Sequence, residues 1–266
     1  MQTALTIAGF DPSSGAGVTA DLFVFAAHGL FGTSAITSLT VQSTVGVRSS
    51  HPVDAGMVME TLECLHYDLP PAGVKIGMLA TASIVEVVAA YLERMRGLTL
   101  RTPVVLDPVI RSSSGRELLS DEGVALIRER LLPLTSWVTP NLSELSLLSG
   151  LPVSSRQQME AAAVALHNDY PELNVLATGG HLDQPDDLIL TAEGELHWIP
   201  GERVVSSSTH GTGCALSSAV LSRLVLGDEP LSAATRAKHY VTEAIRRAAP
   251  MGQGHGPLNH LWQLRS

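Results

Sequence analysis

The residues with the most chemical potential lie near the C-terminus, in Ser208-Thr-His-Gly-Thr-Gly-Cys-Ala215, and a stretch of helical period follows over Leu216–Leu226. Gly211 and Gly213, on either side of Thr212, permit backbone conformations closed to other residues. Consecutive N–H groups can then converge at a helix N-terminus, where the helix dipole also favours an anion. That arrangement suits a phosphoryl group in transfer, whose charge needs stabilising midway. A glycine turn before an ordinary helix has the same sequence. Cys214 stands where that helix begins. Helix N-termini and cationic neighbours lower a thiol from its usual pKa of about 8.5, which makes Cys214 a candidate general base toward a substrate hydroxyl. Cys64, inside the helical stretch Glu60–Tyr67, reads instead as a small buried hydrophobe.

A second glycine-rich loop, Gly9-Phe-Asp-Pro-Ser-Ser-Gly-Ala-Gly17, follows an apolar run at the N-terminus. Its tail, Gly15-Ala-Gly-Val-Thr-Ala20, fits the G-x-G-x-x-A dinucleotide pattern, which also wants an acidic residue about 20 positions on. No acidic residue occurs between Asp21 and Asp54, so the dinucleotide reading fails. The alternative is a loop that approaches a flat ligand closely, with Asp21 and the amide of Gln42 bonding its polar edges. Leu106-Asp-Pro-Val109 puts Asp107 at a strand end, and Thr139-Pro-Asn-Leu-Ser-Glu144 puts Asn141 and Glu144 at a strand-to-helix turn. Such oxygen ligands suit Mg2+, which keeps waters and phosphate oxygens in its shell. Asn141 and Glu144 also have the spacing of a helix-capping pair. The sequence holds no G-x-x-x-x-G-K-[ST], no G-x-S-x-G and no H-E-x-x-H or Cys/His ligand spacing, which argues against a P-loop enzyme, a serine hydrolase and a zinc site.

Positioning these groups falls to short apolar runs that alternate with longer stretches of helical period, the pattern of a parallel sheet with crossover helices. Strands are expected at Ala4–Ala8, Ser34–Val41, Gly73–Gly77, Val104–Leu106, Trp137–Thr139 and Val175–Ala177. Helices are expected at Val18–His28, Ala55–Tyr67, Ile84–Met95, Asp121–Leu131, Leu142–Leu148 and Arg156–Asn168. Leu188–Leu190 and Leu196–Ile199, around a turn at Gly194, read as an antiparallel hairpin, and helices over Cys214–Leu226 and Leu231–Ala248 close the chain. No linker divides the sequence, so one α/β domain is expected across residues 1–266, its mostly parallel sheet flanked by helices and carrying an antiparallel edge late in the chain.

Composition narrows the classes. Hydrophobic residues make up 45% of the 266 and charged residues 16%, which excludes disorder. A net charge of −9 without a Lys/Arg cluster argues against nucleic acid as a partner. No apolar run approaches the length of a membrane span, and the N-terminus lacks a signal-peptide pattern. Two cysteines make no disulfide framework, and a cytoplasmic protein is expected.

The ordered set of segments resembles the hydroxymethylpyrimidine and phosphomethylpyrimidine kinases of thiamine biosynthesis, in the vitamin-kinase branch of the ribokinase superfamily. It comprises Leu5-Thr-Ile-Ala-Gly9, Asp11–Gly17 with Ala20-Asp-Leu22, Val41-Gln42, Lys75-Ile-Gly-Met-Leu79 and Leu106–Val109. It continues through Thr139-Pro-Asn141 with Glu144, Gly179-Gly-His181, Thr209–Cys214 and Gly254-His-Gly-Pro257. The resemblance implies a ribokinase-like fold, ATP and Mg2+ as cofactors, transfer of the γ-phosphoryl to the pyrimidine's hydroxymethyl group or its phosphate, and a homodimer. It places Ala16, Asp21, Gln42, Met78 and Val109 around the pyrimidine and makes Gly211, Thr212 and Gly213 the anion hole. It puts Asn141 and Thr178 at the nucleotide and Asp107 and Glu144 at the metal. Cys214 takes the place of the aspartate base of the sugar kinases. One departure is Thr178, where many members carry a lysine before Gly-Gly-His. Related pyridoxal kinases use threonine in that neighbourhood, which keeps a pyridoxal or pyridoxine kinase open, as well as a catalytically weak pyrimidine-binding protein.

Overall fold

A computed structural model describes residues 1–96, 102–112 and 115–264. The apolar runs become strands because both of their faces are covered, as in a parallel sheet packed on two sides. The inner strands are β1 (Thr3–Phe10), β4 (Gly73–Ile76), β5 (Val104–Leu106), β6 (Trp137–Val138) and β7 (Asn174–Ala177), and the long strand β2 (Phe31–Ser43) runs parallel to β1. Antiparallel strands close both edges. β3 (Gly46–Pro52) pairs with β2, while β8 (Asp187–Leu190) and β9 (Leu196–Ile199) form the expected hairpin beyond β7. Among the described residues these nine strands make one sheet in the order β3-β2-β1-β4-β5-β6-β7-β8-β9.

Two aliphatic cores sit on the two faces. One face is covered by α2 (Ala55–Asp68), α3 (Ala82–Arg96), α4 (Asp121–Leu126), α5 (Leu142–Ser149) and α6 (Arg156–Asp169). The other is covered by α1 (Gly17–Ala27), α7 (Thr212–Val225) and α8 (Pro230–Arg246). Chain order reverses at β1, whose neighbours are β2 on one side and β4 on the other. In open α/β sheets ligands bind outside the carboxyl ends of the strands at such a switch point.

The structure departs from the local expectations in two places. β3 was not foreseen, because Gly-Val-Arg-Ser-Ser-His-Pro lacks an apolar alternation and its pairing with β2 supplies what its side chains do not. The antiparallel edge expected late in the chain therefore has a counterpart at the other end. The helix expected over Asp121–Leu131 is α-helical only to Leu126; it widens into a π turn at Ile127–Leu131 and tightens at Leu132–Leu134. Pro133 has no N–H to continue the ladder, and its ring crowds the preceding turn.

Candidate active site

The glycine loop does open a helix. Gly211 is the N-cap of α7 with φ 82°, and no side chain caps that end. The first N–H groups of a helix have no intrahelical partner, so those of Thr212, Gly213 and Cys214 are turned to the loop side. A Cβ on Gly211 would lie 1.8 Å from the carbonyl oxygen of Gly15, so only glycine lets the two glycine-rich loops meet. Thr212 does not face outward with its hydroxyl, which donates to Thr209 O at 2.7 Å. Gly211→Ala is expected to lower turnover about 10- to 10²-fold in steady-state assays, the usual effect of misplacing a site by an ångström or less. Wild-type turnover would separate this loop from the chemistry.

Behind the loop lies a sealed set of charges. Asp21, on α1, and Lys75, on β4, are both 0% exposed and paired at 3.0 Å. Asp21 Oδ2 also accepts from Thr6 at 2.6 Å and Oδ1 from Ser218 of α7 at 2.8 Å. The position at a ligand's edge expected for Asp21 is therefore corrected: its oxygens face inward, tying α1, β1, β4 and α7 together. Burial alone would lower the Lys75 ammonium, but the charges of Asp21, Cys214 and Asp107 outweigh it and hold Lys75 above its usual value. Asp107, at the end of β5, is buried, and its carboxylate lies 3.9 Å from where a Gly213 Cβ would sit. Burial, opposed first by Lys75 and helped by Asp21, raises the Asp107 carboxyl.

Cys214 lies partly exposed in the first turn of α7. The Gly17 amide and the Asp107 carboxylate are polar neighbours of its thiol. Contrary to the lowered value expected at a helix start, burial pushes the thiol up to about 12; Lys75 pulls it down, while the charges of Asp107 and Asp21 push it further up. Desolvation of the anion and the carboxylate behind it outweigh the helix end. Cys64, expected to be buried, is exposed on α2, because its face of the helix turns to solvent.

On the β1–β2 side, Asp11 organises the N-terminal loop. Its Oδ1 accepts from Ser13 N at 2.8 Å and Ser13 Oγ at 2.7 Å, and its Oδ2 from Ala16 N at 3.0 Å. His210 Nε2 stands 2.7 Å from the same Oδ2 and 2.9 Å from Gln42 Nε2. Gln42 is half-buried on β2, Ala16 caps α1, Met78 follows β4 with its sulfur 3.1 Å from a Gly9 Cβ position, and Val109 follows β5. Ala16, Gln42, Met78 and Val109 are all partly accessible.

On the β6–β7 side, Asn141 and Glu144 form a capping box for α5: Asn141 Oδ1 accepts from Glu144 N at 3.0 Å, and Glu144 Oε2 from Asn141 N at 2.9 Å. Thr178 bridges to Asn141 across the strand ends and is half-buried. Burial, then the charge of Asp107, pushes Glu144 up to about 8. The sheet order thus puts Gln42, Asp11 and Met78 on one flank of the α7 N-terminus, Asn141, Glu144 and Thr178 on the other, and Asp107 and Cys214 between them. Reasoning from sequence assigned no role to Asp11, His210 or Lys75. Their only signal was their place inside the quoted motifs.

A helix start open to anions, at the carboxyl ends of a mostly parallel sheet with antiparallel edges, defines a ribokinase-like fold. The chain belongs to the phosphomethylpyrimidine kinase family, whose pattern it matches over residues 11–259. It is 41% identical over 258 residues to the thiamine biosynthesis bifunctional protein ThiED of Geobacter sulfurreducens, a match covering 97% of this chain and 52% of that protein. The chain therefore spans about half the length of that relative. It is 38% identical over 262 residues to a hydroxymethylpyrimidine/phosphomethylpyrimidine kinase of Synechococcus elongatus, covering 98% of each. An ADP complex of Bacillus subtilis pyridoxal kinase superposes with a TM-score of 0.88 at 31% identity, covering 100% of both chains.

Proposed function

We propose that this chain transfers the γ-phosphoryl of ATP to the hydroxymethyl group of 4-amino-5-hydroxymethyl-2-methylpyrimidine, and to the monophosphate so formed, in thiamine biosynthesis. The observation that carries it is Cys214, placed in the first turn of α7 beside Asp107 and between the Gln42 and Thr178 flanks. Gln42, Ala16, Met78 and Val109 hold the pyrimidine, and Thr178 and Asn141 the nucleotide. Cys214, in the thiolate form that burial disfavours and the Lys75 charge favours, takes the proton of the acceptor hydroxyl as the new O–P bond forms and the bond from the γ-phosphorus to the β,γ-bridging oxygen breaks. The amides of Gly211–Gly213 hold the charge of the migrating group.

The donor set fits Mg2+. Asp107 and Glu144 are two oxygen donors pressed together strongly enough that one raises the other. Among the described residues no cluster of three acidic, His or Cys side chains gathers around a metal position, so water and phosphate oxygens would have to complete the shell. Bound there, Mg2+ supplies positive charge to the phosphate oxygens and offsets both carboxylates. Glu144→Gln keeps an oxygen for the capping box but removes the carboxylate that would hold Mg2+. The expected result is an unchanged melting temperature and a requirement for Mg2+ raised about tenfold or more.

The deciding experiment is a substrate panel with product mass detection. Mono- and diphosphate of the aminopyrimidine are expected, with kcat/KM well above that for pyridoxal. A higher value for pyridoxal would transfer the reading to the pyridoxal kinases, and ATP consumption independent of added pyrimidine or Mg2+ would remove it. The same reading takes the chain as one kinase domain acting in the cytoplasm as a homodimer. No helix among the described residues is long and apolar enough to cross a membrane. Leu39, Val41 and Val45 stand exposed along β2 and its turn into β3, where a second copy would cover them.

A further inference from the structure

We infer that His210, anchored by Asp11, locks the side-chain amide of Gln42 in one orientation and thereby sets the order of hydrogen-bond donor and acceptor that the acceptor site admits. The inference rests on the proposed place of Gln42 at the edge of the pyrimidine. His210 is itself fixed at both ends: its N–H donates to Gly256 O at 3.1 Å, and its ring Nε2 lies 2.7 Å from Asp11 Oδ2. Asp11 is ionised; burial opposes this, but hydrogen bonds from His210 and Ser13 outweigh it and hold the carboxyl below its usual value. A carboxylate only accepts, so the proton of that bond belongs to His210 Nε2.

That nitrogen keeps no lone pair, so the Gln42 atom 2.9 Å from it must be an acceptor, sharing with Asp11 the single proton that Nε2 carries. An amide nitrogen placed there has no lone pair to offer, and oxygen and nitrogen of an amide are assigned from their partners. The other end of the side chain gives the same answer. Thr40 Oγ1 has one proton, and it goes to Phe10 O at 2.9 Å. Its contact with Gln42 at 3.2 Å therefore needs a donor from the amide. Both neighbours are satisfied when Oε1 faces His210 and the NH2 group faces Thr40. One lone pair and one N–H of Gln42 remain, in fixed order. Their complement is a ring nitrogen beside an exocyclic amine, the edge of an aminopyrimidine. A pyrimidinone presents the reverse order, N–H beside C=O, and would leave two like groups opposed.

His210 and Asp11 are thus positioning residues for specificity. The test measures dissociation constants by calorimetry, without ATP, for the aminopyrimidine and its 4-oxo analogue. Wild-type protein is expected to prefer the amine about 10²-fold, as a site with buried polar partners does. In His210→Leu the amide is free to turn over, and the preference should fall to about threefold or less, the two arrangements then being nearly equal in energy. His210→Gln keeps a donor at the Nε2 position and should restore it. Thr40→Val loosens the same amide from its other side and decides the matter if His210→Leu does not fold, as judged by thermal melting. Preference retained in the folded His210→Leu and Thr40→Val proteins, or absent in the wild type, overturns the inference. A wild-type protein that binds neither ring overturns the proposed function first, and the inference with it.

Discussion

Replacing Cys214 by alanine is expected to slow phosphoryl transfer about 10²–10⁴-fold, the range for losing a general base. The reason is positional: the sulfur lies in the first turn of α7, next to the amides proposed to hold the migrating group, with Asp107 and the Gly17 amide as its neighbours. Binding should be spared, because the groups proposed to hold the pyrimidine and the nucleotide lie on the two flanks. The loss then appears in single-turnover rates, with the dissociation constants of both substrates within about threefold of wild type, and a slower chemical step without loss of binding is the mark of an interaction made in the transition state. Cys214→Asp, which restores the base type of the sugar kinases, should retain more activity than Cys214→Ala. Wild-type single-turnover rates in the alanine variant would remove the base assignment and leave the anion hole as the main contributor.

Asp21→Ala should cost about 3–5 kcal/mol of stability in urea denaturation, the usual penalty for leaving a buried charge without its partner. Asp21 accepts from Lys75, Thr6 and Ser218, so the substitution strands an ammonium and two hydroxyls in a part of the core that water does not reach. Replacing both charges, as Lys75→Met with Asp21→Leu, should recover much of the loss, since a buried ion pair is worth little against apolar groups of similar size. The pH dependence has a definite sign. The folded-state pKa of Lys75 is raised above its unfolded value, so its pairing contributes in full below the unfolded pKa of about 10.4 and fades as pH climbs toward the folded value. Wild type and Asp21→Ala should therefore converge in strong base. A destabilisation below about 1 kcal/mol at neutral pH would show that water reaches Lys75 after all.

The glycine loop, the strand ends and the capping box were legible in the sequence because each is a local device. Gly211 before a helical period, Asp107 after Val-Val-Leu, and Asn141 three residues before Glu144 each fix their own geometry within a few residues. The capping pair illustrates the limit of such reading, since Glu144 caps α5 and also feels the charge of Asp107. Nothing in the local sequence says that a carboxylate already used by a helix end also belongs to a charged cluster.

By itself the sequence determined the elements other than β3 and the distorted end of α4, their alternation and the chemistry available at their ends, because apolar periodicity and turn residues act over short stretches of chain. Only the tertiary structure decided which of these groups meet. It turned Asp21 inward onto Lys75, set the Cys214 thiol where burial rather than the helix end governs its proton, and brought His210 across 199 positions of sequence to Asp11. Those outcomes depend on the order of strands in the sheet and on how much water remains around each charge. Both are properties of the packed molecule that no single segment encodes.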